Sequence, residues 1–214
     1  MNSKPLFNNI YPEIIATIQL AISTFNTITP DRKEELKKLS EYIQVSVNKN
    51  KNVNLTFICT HNSRRSHFAQ IWAQTAAAYY NIPSINCYSG GTEVTAFNAN
   101  AVKALQGVGF SITQKLATNN PHYEVNYCDT AVSIDAFSKK YSDTPNPSNS
   151  FAAIMTCSHA DESCPIVVGA DARFKIAYED PKIADGKPDQ ELVYTERSMQ
   201  IATEMCYVFS LLNK

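Results

Sequence analysis

At 214 residues, 44% of them hydrophobic, the chain has room for one catalytic domain and an appendage around a proper core. A formal net charge of −1 provides no field to steer it toward nucleic acid or an anionic membrane, so any anion site must be local. No apolar run approaches the roughly 18 residues that a membrane span requires, and residues 1–5 lead into no signal-peptide core, so a cytoplasmic protein is expected.

The first periodic stretch, residues 11–25, carries Ile14, Ile15, Ile18, Ala21, Ile22 and Phe25 at helical spacing. Thr29, Pro30 and Asp31 supply a cap, a first-turn proline and an early acid for a second helix, whose apolar stripe is Leu36, Leu39, Tyr42, Ile43 and Val47. Together these are expected to make a helical hairpin, so that residues 1–52 form an N-terminal helical extension, with a polar linker at residues 48–54. A β-rich run at residues 53–58 follows, then a polar octet, then a long helix over residues 66–80. Strands are expected at residues 85–89 and 151–156, and helices at 98–107 and 191–212. That alternation implies a parallel α/β sheet in a catalytic domain spanning residues 53–214. Residues 121–150 fit the alternation poorly and read as an insertion holding a possible strand at 123–128.

The octet is Cys59-Thr60-His61-Asn62-Ser63-Arg64-Arg65-Ser66. A loop running from a strand into a helix aims its backbone N–H groups at whatever lies beyond the strand end, which makes residues 60–66 a candidate oxyanion cradle. The same partial positive charge favours Cys59 as a thiolate nucleophile. Arg65 can return across the loop and hold two oxyanion oxygens in its planar fork. Ser66 can donate to the sulfur, and Asn62 can hold the loop's shape through its amide.

This octet, with Phe57-Ile58 before it, resembles the phosphate-binding loop of the low-molecular-weight protein tyrosine phosphatase superfamily, including its thioredoxin-coupled arsenate reductase branch. Tyr88-Ser89-Gly90-Gly91 and residues 98–110 resemble the segments that follow in those proteins, and the likeness covers residues 53–214 apart from the insertion. It implies a three-layer α/β sandwich around a central parallel sheet of about four strands. Two positions depart from the family pattern: His61 stands where glycine is usual, and Arg64 where a second cysteine is common. If the backbone at His61 must adopt a glycine-like conformation, strain is expected there.

Of the six cysteines, Cys87, Cys128 and Cys206 lie in apolar or strand-like runs and read as buried structural thiols. Cys157 and Cys164 sit in Cys157-Ser158-His159-Ala160-Asp161-Glu162-Ser163-Cys164-Pro165, which follows an apolar strand and should start at the same sheet edge as Cys59. Hydrolysis of a phosphate ester needs no extra thiols, whereas reduction of an oxyanion needs two electrons and a route for them. The pair resembles the relay of the arsenate reductases. That resemblance implies attack of Cys59 on arsenate, attack of Cys157 on Cys59 with release of arsenite, and attack of Cys164 on Cys157 on a mobile segment. Thioredoxin would then reduce the resulting disulfide, with no cofactor. The alternative is hydrolysis of phosphomonoesters through a phosphocysteine; a further one is a catalytically weak binding module.

Asp-Pro alone reads as an Asx-turn, but beside Cys59 and Cys157 the segment Glu179-Asp180-Pro181 matches the family's acid loop, which implies Asp180 as proton donor to the leaving oxygen. Lys182 and Ile183 follow it in place of the aromatic pair of animal-type tyrosine phosphatases. The resemblance also matches a potassium-binding set to Asn62, Gln70 and Ser89, where Gln70 replaces a glutamate and removes a charge; no bound metal is expected. His67 and His159 read as hydrogen-bonding histidines rather than catalysts.

Overall fold

The computed structural model describes residues 9–163 and 166–213, without the side chain of Ser163. Cys164 and Pro165, the distal end of the expected relay, lie outside the described residues.

The two expected N-terminal helices form as α1 (Pro12–Ser23) and α2 (Pro30–Val47). Each has proline in its first turn, where the missing N–H is not needed, and the Thr29 side chain accepts the Arg32 N–H to cap α2. The parallel sheet is built from β1 (Val53–Cys59), β2 (Ile85–Gly91), β6 (Phe151–Met155) and β7 (Ala170–Lys175), in spatial order β2-β1-β6-β7. Helix α3 (Arg65–Tyr79) connects β1 to β2, α4 (Ala99–Gly107) follows β2, α5 (Ser158–Ser163) follows β6, and α6 (Gln190–Ser210) closes the chain.

Residues of β1 and β6 alternate between two cores. Leu55, Phe57, Ala152 and Ile154 face a large core that also contains Ile14, Leu36, Trp72, Leu105 and Phe209 from five helices. Ile58, Ala153 and Met155 face a smaller cluster with Cys59, Cys157, Ala160 and Val167. The chain is thus the expected α/β sandwich around four parallel strands. Helix α3 is buried along most of its length, and Trp72 donates its indole N–H to Ser198 of α6 at 3.0 Å, as a buried indole must to avoid an unmet donor.

Two differences from the sequence expectation concern strands. Residues 121–150 contribute β4 (His122–Asn126) and β5 (Ile134–Ala136), which join β3 (Ser111–Leu116) in a separate antiparallel sheet. Neither β3 nor β7 was expected, because β3 is largely exposed and β7 is an edge strand bearing Asp171, Arg173 and Lys175, so neither shows an apolar alternation.

The topology fixes where chemistry can happen. From β1 the chain crosses to β2 on one side and later returns to β6 on the other, so the carboxyl ends of β1 and β6 border a switch point, the usual ligand position in open α/β sheets. Cys59 ends β1, and Cys157 stands two residues beyond Met155, the end of β6.

Candidate active site

The loop after β1 is held from several directions. Cys59 is 3% exposed, with its sulfur 3.1 Å from the Ser66 hydroxyl. That hydroxyl accepts a hydrogen bond from the Asn62 side-chain N–H at 2.9 Å, which leaves its own proton to point at the sulfur. The Asn62 side-chain oxygen accepts the Lys139 backbone N–H at 3.0 Å. Asn62 is also the loop residue with a left-handed backbone, at φ 43°, a region that asparagine tolerates. The strain expected at His61 is therefore absent: His61 does not have a positive φ, and the glycine-like conformation falls one residue later. The His61 ring lies 3.4 Å from the Glu93 carboxylate, and its carbonyl accepts from Thr95 and Ser138 hydroxyls at 3.0 and 2.9 Å.

Close approach explains Gly91, at the end of β2. A Cβ there would lie 2.7 Å from the Thr60 carbonyl oxygen and 2.8 Å from the Asn62 nitrogen, both backbone atoms of the loop. Its own N–H and carbonyl pair with Lys139 and Tyr141, so the segment after β5 braces both β2 and the loop.

Arg65 opens α3 and reaches the segment after β7, donating to the Tyr178 carbonyl at 3.0 Å and to Asp180 at 2.6 Å. Asp180 uses its other oxygen to cap the 3₁₀ turn Pro181–Ala184 through the Lys182 N–H at 3.1 Å. Asp180 is thus an Asx-type cap, the plainer of the two sequence readings, and at the same time an ion-pair partner of Arg65. Arg64 stands 4.0 Å from Asp180 and donates to the Tyr194 hydroxyl at 2.7 Å and to Asp185 at 3.4 Å. The Tyr194 hydroxyl donates on to Asp185 at 2.7 Å, so Arg64 ties the loop to α6. Beside the loop opens a groove of about 510 Å³ whose lining includes His61, Ser63, Arg64, Tyr123 and Lys182.

Cys157 is 1% exposed. Its sulfur accepts the Ala160 N–H at 3.3 Å, as a cap on the first turn of α5, and lies 3.5 Å from the Thr60 hydroxyl. That hydroxyl is also 3.3 Å from His159 Nδ1. The segment expected to be mobile is thus helical over Ser158–Ser163, anchored where Asp161 meets Arg173 at 2.5 Å and Lys175 at 3.0 Å. Cys87, Cys128 and Cys206 are buried thiols, as expected, and burial pushes Cys206 up to about 12.

Among the residues matched to a potassium set, both ends of the Asn62 amide are committed to Ser66 and Lys139 and the Ser89 hydroxyl pairs with His67 at 3.2 Å, while the uncharged Gln70 donates to the Cys87 carbonyl at 3.0 Å and leaves its buried side-chain oxygen without a hydrogen-bond partner. The buried ammonium of Lys139, pushed down to about 8 by burial against the opposing pull of Asp135 and Asp143, adds positive charge near His67. His67 is fully buried, stacked on Phe97 with centroids 4.1 Å apart. Burial first, and then the Lys139 charge, hold it well below the usual imidazole range.

A stability prediction follows from His67. The unfolded chain takes up its proton near pH 6.5 while the folded chain does not, so stability is intact above about 6.5 and falls as pH drops below it. Between pH 7.5 and 5.5 the native protein is expected to lose about 1.4 kcal/mol more unfolding free energy, read from denaturant titrations, than a His67→Asn variant loses. Equal losses would mean that His67 is protonated in the fold.

Sequence reasoning missed the groups that brace the site: Ser138, Lys139, Tyr178 and Tyr194. Most act through backbone atoms or lie far along the chain, and neither leaves a local motif.

A parallel four-stranded sheet with a cysteine loop at its switch point, leading into a helix that opens on an arginine, is the low-molecular-weight tyrosine phosphatase fold. Such a phosphatase from T. tengcongensis superposes with a TM-score of 0.51 at 17% identity, over 75% of this chain and all of that one. No family model matches the sequence. Two Bacillus cereus proteins named arsenate reductase are 30% and 32% identical over 125 and 126 residues, each alignment spanning 58% of this chain and 74% of the relative. An arsenate reductase of Bacillus subtilis strain 168 is 29% identical over 141 residues, 66% of this chain and 83% of that protein. The chain belongs to the arsenate reductase branch of the low-molecular-weight tyrosine phosphatase superfamily. Among the described residues no helix is long and apolar enough to cross a membrane.

Proposed function

We propose that this chain reduces arsenate to arsenite with Cys59 as nucleophile, Cys157 and Cys164 as a disulfide relay, and thioredoxin as the final reductant. The supporting observation is the placement of two thiols: Cys59 and Cys157 leave the carboxyl ends of adjacent parallel strands and share one buried cluster, with the Thr60 side chain beside the second sulfur. A hydrolase has no use for the second.

In the proposed reaction, arsenate enters the cradle of residues 60–66, where backbone N–H groups and the α3 N-terminus meet its oxygens. Arg65 exchanges its Asp180 carboxylate for two arsenate oxygens, a bidentate pairing that its fork suits. Asp180, released from Arg65, gives a proton to the departing oxygen as the Cys59 thiolate, stabilised by the Ser66 hydroxyl, bonds to arsenic. The Cys157 thiolate then attacks the Cys59 sulfur; the S–S bond forms, the S–As electron pair stays on arsenic, and arsenite leaves. Cys164 attacks Cys157, frees the Cys59 thiolate and leaves a Cys157–Cys164 disulfide for an external dithiol.

Phosphomonoester hydrolysis is the second reading, because Cys59, Arg65 and Asp180 alone would serve it. Arsenite release coupled to thioredoxin oxidation, measured beside phosphomonoester turnover, separates the two. Sustained arsenite production is the expected result, and ester turnover without any arsenite would overturn it.

A further inference from the structure

The arginine assigned to the oxyanion rests on a backbone carbonyl, and that stretch of backbone is clamped from the N-terminal hairpin. Arg65 donates to the Tyr178 carbonyl at 3.0 Å. Tyr178 N–H bonds the Thr156 carbonyl at 3.1 Å and Ile176 N–H the Met155 carbonyl at 3.0 Å, which ties the segment to the end of β6. The carbonyl between them, of Ala177, accepts from Arg32 of α2 at 3.1 Å. The same guanidinium lies 5.0 Å from the centre of the Tyr178 ring and donates twice to Glu204 of α6, at 3.0 and 2.8 Å, and once to Glu35 at 2.8 Å. Glu204 is 4% exposed.

Stability alone explains this arrangement poorly. A cation in the first turn of a helix opposes the helix dipole. An apolar pair commonly replaces a buried ion pair without loss of stability. What an apolar pair cannot do is donate to the Ala177 carbonyl while covering the Tyr178 ring.

We propose that Arg32 is a positioning residue for the oxyanion site: it fixes residues 177 and 178, and through the Tyr178 carbonyl it sets the direction of the Arg65 fork. Helix α2 is then part of the catalytic framework. The proposal rests on the assignment of Arg65 as oxyanion ligand.

Inorganic phosphate is the probe, read as protection of Cys59 from alkylation by iodoacetamide at fixed pH in the full-length protein. Arg32→Lys retains the charge facing Glu204 but loses the planar fork. It is expected to weaken phosphate protection about 10-fold, as a displaced ligand does, while the alkylation rate without phosphate stays within about 2-fold. Arg65→Lys serves as the control and is expected to weaken protection at least as much. If Arg65→Lys leaves protection intact, the oxyanion assignment fails and the proposal with it. If Arg65→Lys weakens protection and Arg32→Lys does not, the role of Arg32 is overturned and the assignment stands. Should Arg32→Lys fail to fold, the double variant Arg32→Met with Glu204→Leu removes both charges; the same loss is expected, and undiminished protection overturns the proposal.

Discussion

Replacing Cys59 with serine is expected to abolish both arsenate reduction and any phosphomonoester turnover, by roughly four orders of magnitude or more. Among the described residues, the side-chain partner at position 59 is the Ser66 hydroxyl, which is no general base to remove a serine proton. The neighbouring Ser66 hydroxyl, itself held by Asn62, is arranged to donate toward position 59. The change is nearly isosteric in a residue 3% exposed, so the thermal midpoint should move little, and phosphate should still bind. Steady-state assays on both substrates check this. Residual turnover within a hundredfold of the native enzyme would move the chemistry to another group.

Cys157→Ser carries the second large effect, and it divides the two reactions. Arsenate reduction with recycling should fall about a thousandfold or more, because without this thiol the Cys59 sulfur is not attacked and the S–As electron pair is not left on arsenic. Phosphomonoester turnover, where present, should stay within about threefold, since Arg65 and Asp180 do not use the second sulfur and a serine there keeps a polar group beside the Thr60 hydroxyl. The Ala160 N–H now bonded to the Cys157 sulfur finds a hydroxyl in its place, which keeps the cap of α5. Arsenite quantification with limiting and with excess reductant distinguishes a missing relay from a damaged loop. Full arsenite production in this variant would sink the relay.

Much of this was legible in the sequence because the informative residues act locally. The strand before Cys59 and the helix after it declare themselves by composition and period, and a polar octet between them has few explanations. Asp180 was visible through the proline that follows it. The bracing of the loop was not. Asn62 receives its backbone partner from Lys139, and Arg65 receives the carbonyl of Tyr178; a backbone group looks the same in every residue type. Residues 121–150 therefore read as an interruption, although Ser138 and Lys139 within them hold His61 and Asn62 in place. His61 shows the converse failure. A departure from the family pattern suggested strain there, but the left-handed turn lies at Asn62, so the histidine is under no such constraint. The hairpin read as a separate extension, and nothing in its periodicity announced that Arg32 reaches the segment beneath Arg65.

Thiol mapping tests the central claim most directly. Protein treated with arsenate in the absence of reductant, alkylated and digested without reduction, is expected to show a Cys157–Cys164 disulfide with Cys59, Cys87, Cys128 and Cys206 as free thiols. Finding all six thiols free, with arsenate consumed or not, would contradict reduction through this relay.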